Sequence, residues 1–123
     1  MNITTNILNE IEKEIIKSFL KINNFNEDFY GKAFESLEVM NRRMTGVGFY
    51  TDLVTNKAFK EERLKSLRWT KAGALLNHNL KVGFLVYVDE FKINCIEGFT
   101  YGDTAWPKKI TSFEMRILDN NKF

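Results

Sequence analysis

Cysteine, histidine and proline are nearly absent: the 123-residue chain has one of each. A lone cysteine, Cys95, excludes an internal disulfide. One Cys and one His fall short of the four Cys/His ligands of an ordinary structural zinc site, so no metal is expected, nor any other cofactor. A nucleophilic Cys95 would need an activating base, and His78, the only histidine, sits in a turn-like "NHN" with no catalytic motif around it. "TGVG" lacks the Lys-Ser/Thr of a phosphate loop and leads into a strand rather than a helix. No apolar run reaches the roughly 18 residues that span a membrane. The opening "MNITTNILNEIEKEI" has no basic stretch followed by an apolar one, as a secretory signal would, so the expected location is the cytoplasm. These gaps favour a binding protein over an enzyme.

Apolar rings are plentiful. Eleven Phe, four Tyr and two Trp, within a 44% hydrophobic composition, exclude a disordered chain and suit one buried core. A single domain over 1–123 is expected, with a helical segment at 1–43, a sheet at 44–118 and a frayed tail at 119–123. The net charge is only +2, but residues 1–40 sum to −3, residues 41–81 to +6 and the rest to −1. The basic stretch "KAFKEERLKSLRWTK" carries Lys57, Lys60, Arg63, Lys65, Arg68 and Lys71 around Phe59 and Trp69. That mix suits phosphate contacts and base stacking, although two glutamates interrupt it, and a solvated Lys-rich face is the plainer reading.

In "TTNILNEIEKEIIKSFLKI", Ile7, Leu8, Ile11, Ile15, Phe19 and Ile22 recur at helical spacing, with Thr4 or Thr5 as the expected cap. Glu10, Glu12 and Glu14 precede Lys17 and Lys21, the order a helix dipole favours. A second helix is expected from Asn24 or Asn26, with the stripe Phe29/Tyr30, Ala33, Leu37, Met40 and Met44. "TGVGFYTDLV" then alternates with period two, placing Val47, Phe49, Thr51 and Leu53 on one face and Gly48, Tyr50 and Asp52 on the other. Residues 55–79 read as a short helix or as a basic loop feeding a strand near 66–75, with Leu67 and Trp69 facing in. "LKVGFLVYVDEFKINCIEGF" is a hairpin turning at Asp89-Glu90. That turn sets Val88 against Phe91, Val86 against Ile93, Phe84 against Cys95 and Val82 against Glu97. "TSFEMRIL" is a last strand. The expected fold is α+β: one or two N-terminal helices packed on a mostly antiparallel sheet of four to five strands.

The hairpin register puts Glu97 on the face of Ile93 and Cys95; if that face is the core, the carboxylate lies at its rim or is buried. A carboxylate there either locks the sheet end through hydrogen bonds or serves a pocket as an acid/base or orienting group. Beyond it, "EGFTYGDTAWP" holds Tyr101, Asp103 and Trp106 in a turn-rich corner. Trp106 either anchors the loop or offers contact surface, and Tyr and Trp are hot-spot types.

Two stretches, "RRMTGVGFYTDL" and "EGFTYGDTAWP", together resemble a group of small bacterial cytosolic proteins. These share a Gly-Val/Ala-Gly-Phe-aromatic-Thr strand and a late Glu-Gly-aromatic-Thr-Tyr…Trp-Pro motif. The likeness spans about residues 43–118 and rests on Gly46, Gly48, Phe49, Tyr50, Glu97, Gly98, Tyr101, Trp106 and Pro107. In style such proteins are similar to immunity or accessory proteins of bacterial toxin systems, which implies another protein as partner and assigns no catalytic residue. The expected function is therefore protein binding through Tyr50, Glu97, Tyr101, Asp103 and Trp106, with the basic residues from Lys57 to Lys71 as steering charges. A small-ligand pocket or enzyme site at the Glu97 end of the sheet is the alternative, and nucleic-acid binding through the basic stretch is the third. An uncovered edge strand would leave homodimerisation available.

Overall fold

A computed structural model describes residues 7–55, 72–90 and 92–117. The expected cap residues Thr4 and Thr5, the basic residues Lys57 to Lys71, Leu67 and Trp69, Phe91 and the tail 119–123 lie outside the described residues.

Helix α1 (Glu10–Ile22) starts at Asn9. The Asn9 side chain accepts from the Glu12 N–H at 2.8 Å, and the Asn9 N–H donates to the Glu12 carboxylate at 2.8 Å. This reciprocal capping box satisfies two of the helix's orphan donors. Helix α2 (Glu27–Ser36) follows, preceded by Asn26 with no side-chain cap bond. It passes directly into strand β1 (Leu37–Met44). That junction corrects the expected helix through residue 43. Met40 is an extra, unpaired residue in β1, because Val39 pairs with Leu53 and Asn41 with Asp52. The bulge breaks the alternation of "LEVMNRRM", so Leu37, Met40 and Met44 mimic a helical stripe. Leu37 and Val39 are buried, whereas Met40 and Met44 are 68% and 67% exposed.

The other strands are β2 (Gly48–Thr55), β3 (Ala72–Leu76), β4 (Leu80–Asp89), β5 (Lys92–Thr100) and β6 (Phe113–Ile117). They form one antiparallel sheet in the order β1-β2-β5-β4-β3-β6. The protein is thus α+β, with six strands in place of the expected four or five, β1 being the addition. Asn77 and His78, both with positive φ, make the expected turn between β3 and β4. Asn77 also clasps the segment before β6: its Nδ2 donates to the Lys109 carbonyl at 3.0 Å and its Oδ1 accepts from Thr111.

The β4–β5 hairpin has a different register from the one expected. Asp89 pairs with Lys92, and Asn94 is a second bulge, between the pairs Val88–Ile93 and Tyr87–Cys95. Beyond it Val86 faces Ile96, Leu85 faces Glu97 and Phe84 faces Gly98. The bulge lets Ile93 and Ile96 both point into the core and turns Glu97 out of it.

Both helices lie on one face of the sheet. Ile15, Ile16, Phe19 and Leu20 of α1 are buried in one cluster with Ala74, Leu76, Val82, Phe84, Val86 and Ile96. Burial of that apolar surface is the main force that holds helix to sheet. An ion pair crosses the same interface. Glu12, only 1% exposed, accepts from Arg42 Nε and Nη2 at 2.8 Å each, and from the Thr51 hydroxyl at 2.7 Å. Burial opposes its ionisation, but the bonds from Arg42, the Asn9 N–H and Thr51 outweigh that penalty. The carboxyl therefore titrates below its ordinary value of 4.5.

Candidate functional site

The face opposite the helices is built by alternation in the central strands. Residues that pair across β1, β2, β5 and β4 fall into transverse rows on it. One row runs Arg43–Tyr50–Glu97–Leu85, and the next runs Asn41–Asp52–Cys95–Tyr87. A third places Phe99 between Gly48 and Gly83. With no side chain at position 83, the Phe99 ring lies over it, and a Cβ there would meet that ring at 2.6 Å and the Tyr101 hydroxyl at 2.8 Å. Phe99 and Tyr101 stack edge to face at 5.6 Å, and Tyr101 is 42% exposed.

Glu97 is the hub of this face. Tyr50 reaches it from β2 and donates to Oε2 at 3.1 Å, while Tyr87 reaches it from β4 and donates to Oε1 at 2.6 Å. The carboxylate opposes ionisation of both phenols. The hydrogen bond to Glu97 is the main cause in each case, pushing Tyr87 up to about 12 and Tyr50 upward. Beside this cluster, Arg43 makes a two-pronged pair with Asp52 at 3.0 and 3.1 Å. Its guanidinium also sits 4.7 Å from the centre of the Tyr50 ring. The pairing raises the Arg43 pKa and lowers that of Asp52. Burial, then the Asp52 charge, push the Cys95 thiol up to about 11. Phenols and thiol are therefore protonated at neutral pH, where the phenols act as donors and the thiol is a poor nucleophile.

Glu97→Gln isolates the charge. Tyr87 should then ionise closer to its ordinary value of 10, and the Tyr50 pKa should fall with it. A phenolate absorbance titration reads both changes, and an unmoved high-pH transition would show that Glu97 does not govern these tyrosines.

The five expected binding residues separate into three groups. Tyr50 and Glu97 touch, and Tyr101 shares their face. Asp103 lies exposed in the turn that contains Gly102, at φ +72°. Trp106 packs edge to face on Phe49 at 5.3 Å, on the helix-covered side, and is a loop anchor. Glu97 lies neither at the core rim nor opposite Val82; it stands in mid-strand on the open face. Arg43, Asp52, Tyr87 and Phe99 were not singled out from the sequence as members of the site. The alternation of "VGFLVYV" does place Tyr87 opposite the core residues Phe84 and Val86. Its meeting with Glu97 depends on the Asn94 bulge.

The two motif stretches meet in space. The Trp106 N–H donates to the Gly46 carbonyl at 2.9 Å and the Thr100 N–H to the Val47 carbonyl at 2.9 Å, while Gly48 abuts Gly98. Their glycines and Trp106 hold β2 against β5, and Tyr50 and Glu97 project from that junction. Among the described residues no group of three or more His, Cys, Asp or Glu could hold a metal ion, and no helix is long and apolar enough to cross a membrane. Compared with known proteins, the chain matches no family model, no curated sequence and no solved structure.

Proposed function

We propose that the chain is a protein-binding module whose contact surface is the open face of the sheet. One observation carries this reading: the helices cover one face, and the other displays a connected set of Tyr50, Tyr87, Phe99 and Tyr101 beside Arg43. Tyrosine and arginine dominate the energetics of many protein contacts: tyrosine offers amphipathic area at low conformational cost, and arginine a planar, multidentate donor. The Tyr50–Glu97–Tyr87 bonds and the Arg43–Asp52 pair fix the rotamers in advance, which lowers the cost of association. Protonated phenols and a protonated thiol suit recognition better than proton transfer at neutral pH. Within this class the two motifs favour an inhibitor or immunity protein, so the partner would be a toxin encoded beside it. A toxin-like reading frame directly upstream is the simplest support for that finer reading.

The test is affinity capture of the tagged chain from nuclease-treated lysate of its own source cells. A stoichiometric protein partner should be captured by the wild type and weakened roughly tenfold or more by Tyr101→Ala, the loss of one hot-spot ring. Capture unchanged by Tyr101→Ala, or no partner at all, would count against the open face.

A further inference from the structure

The charges on the open face do not balance at its centre. Arg43 is neutralised by Asp52, at 3.0 and 3.1 Å. Among the described residues, Glu97 is bonded by the neutral phenols of Tyr50 and Tyr87 and no cation forms a salt bridge with it. Among the described residues of this cluster the charges sum to one negative, on a half-buried carboxylate. Ionised, that group has about four acceptor positions, and the phenols fill two. They approach from the strands on either side, one to each oxygen, so the outward direction remains for a ligand. Two aromatic rings flank it. The Tyr50 ring already lies 4.7 Å from one guanidinium, that of Arg43, so a ring of this same cluster accommodates that group.

We propose that Glu97, bracketed by Tyr50 and Tyr87, is the receptor for an arginine side chain of the partner protein. A guanidinium offers two parallel N–H groups to the two carboxylate oxygens and a flat surface to the rings. An ammonium ion is a compact, strongly hydrated point charge and matches neither feature as well. The partner segment that enters the face is thus basic, and its attraction to Glu97 falls with added salt. This inference rests on the open face as the contact surface and adds the chemistry of its central contact.

N-acetyl-arginine amide is the probe, titrated into the isotope-labelled full chain, with N-acetyl-lysine amide in parallel. The arginine amide should shift the Tyr50, Tyr87 and Glu97 resonances saturably, in the millimolar range. Glu97→Gln, close to isosteric, should weaken it about tenfold, as expected for loss of one charge-assisted pair. In the wild type, nuclear Overhauser contacts from the guanidinium side chain to the Tyr50 or Tyr87 ring should appear, a readout that needs no variant. Shifts that never saturate, binding that Glu97→Gln retains, or equal binding of the lysine amide would each overturn the proposal. If a protein is captured through Tyr101 while the arginine amide fails, this inference ends and the protein-binding reading stands. If the amide binds at Glu97 while no protein is captured, Glu97 holds a guanidinium but not that of a partner protein, and the proposal falls together with the protein-binding reading.

Discussion

Replacing Glu12 with alanine should destabilise the protein by about 3 kcal/mol, the lower part of the range for breaking a buried ion pair. The loss falls low in that range because the Arg42 side chain is 33% exposed and can turn partly to water. Two other losses add to the broken pair: half of the capping box and the acceptor for the Thr51 hydroxyl. Equilibrium denaturation in urea gives the value. Replacing the pair together, Glu12→Leu with Arg42→Met, should cost much less than Glu12→Ala, because no charge is then left buried without a partner. A pH series supplies a second reading. The folded-state pKa of Glu12 is depressed, so its contribution is fully present above 4.5 and is lost as pH falls below that value. Glu12→Gln should flatten this acid limb. An unchanged limb would mean that other carboxylates carry the acid sensitivity.

Gly48→Ala should cost about 3 kcal/mol as well, through a different cause. A Cβ on Gly48 would overlap the Gly98 carbonyl oxygen and come within 2.9 Å of the Gly98 carbonyl carbon and 3.0 Å of Phe99 Cα. All three are backbone atoms of the neighbouring strand, so no side chain can swing away. The β2 and β5 strands must part where the two motifs join, and Tyr50 would shift relative to Glu97. Gly31→Ala is the control. It lies in α2 with nothing within 4 Å of its Cβ position, so helix propensity alone should stabilise by about 0.5–1 kcal/mol. Thermal melts of the two variants should move in opposite directions. A Gly48→Ala melt at the wild-type temperature would show that the strands are not in close contact there.

What could be read from the sequence, and what could not, turns on two bulges and one glutamate. Helix α1, the alternation of β2, the β4–β5 hairpin and the last strand all follow from regular periods of 3.6 or 2. Met40 and Asn94 each insert one residue into a strand, and neither carries a local signature strong enough to mark the insertion. The first bulge hid β1 inside a false helical stripe. The second reversed the face assigned to Glu97, which the expected register sets at the core rim or inside the core. In the sequence Glu12 reads only as one of three early glutamates that a helix dipole favours. The Asn9-to-Glu12 spacing is a capping box and could have moved the helix start from Thr4 or Thr5. The partnership with Arg42, 30 residues away, is a tertiary fact that no local pattern carries. The open face could not be recognised as a unit, because it collects alternate residues from four strands whose pairing order differs from their order in the chain.

Site-specific photo-crosslinking tests the central claim most directly. Benzoylphenylalanine would replace Tyr101 on the open face in one variant and Lys17, exposed on α1, in another. Irradiated in lysate of the source cells, the position-101 variant should yield one discrete heavier protein adduct, and the position-17 variant none. An adduct from position 17 alone, or no protein adduct from position 101, would contradict a module that binds its partner through the open sheet.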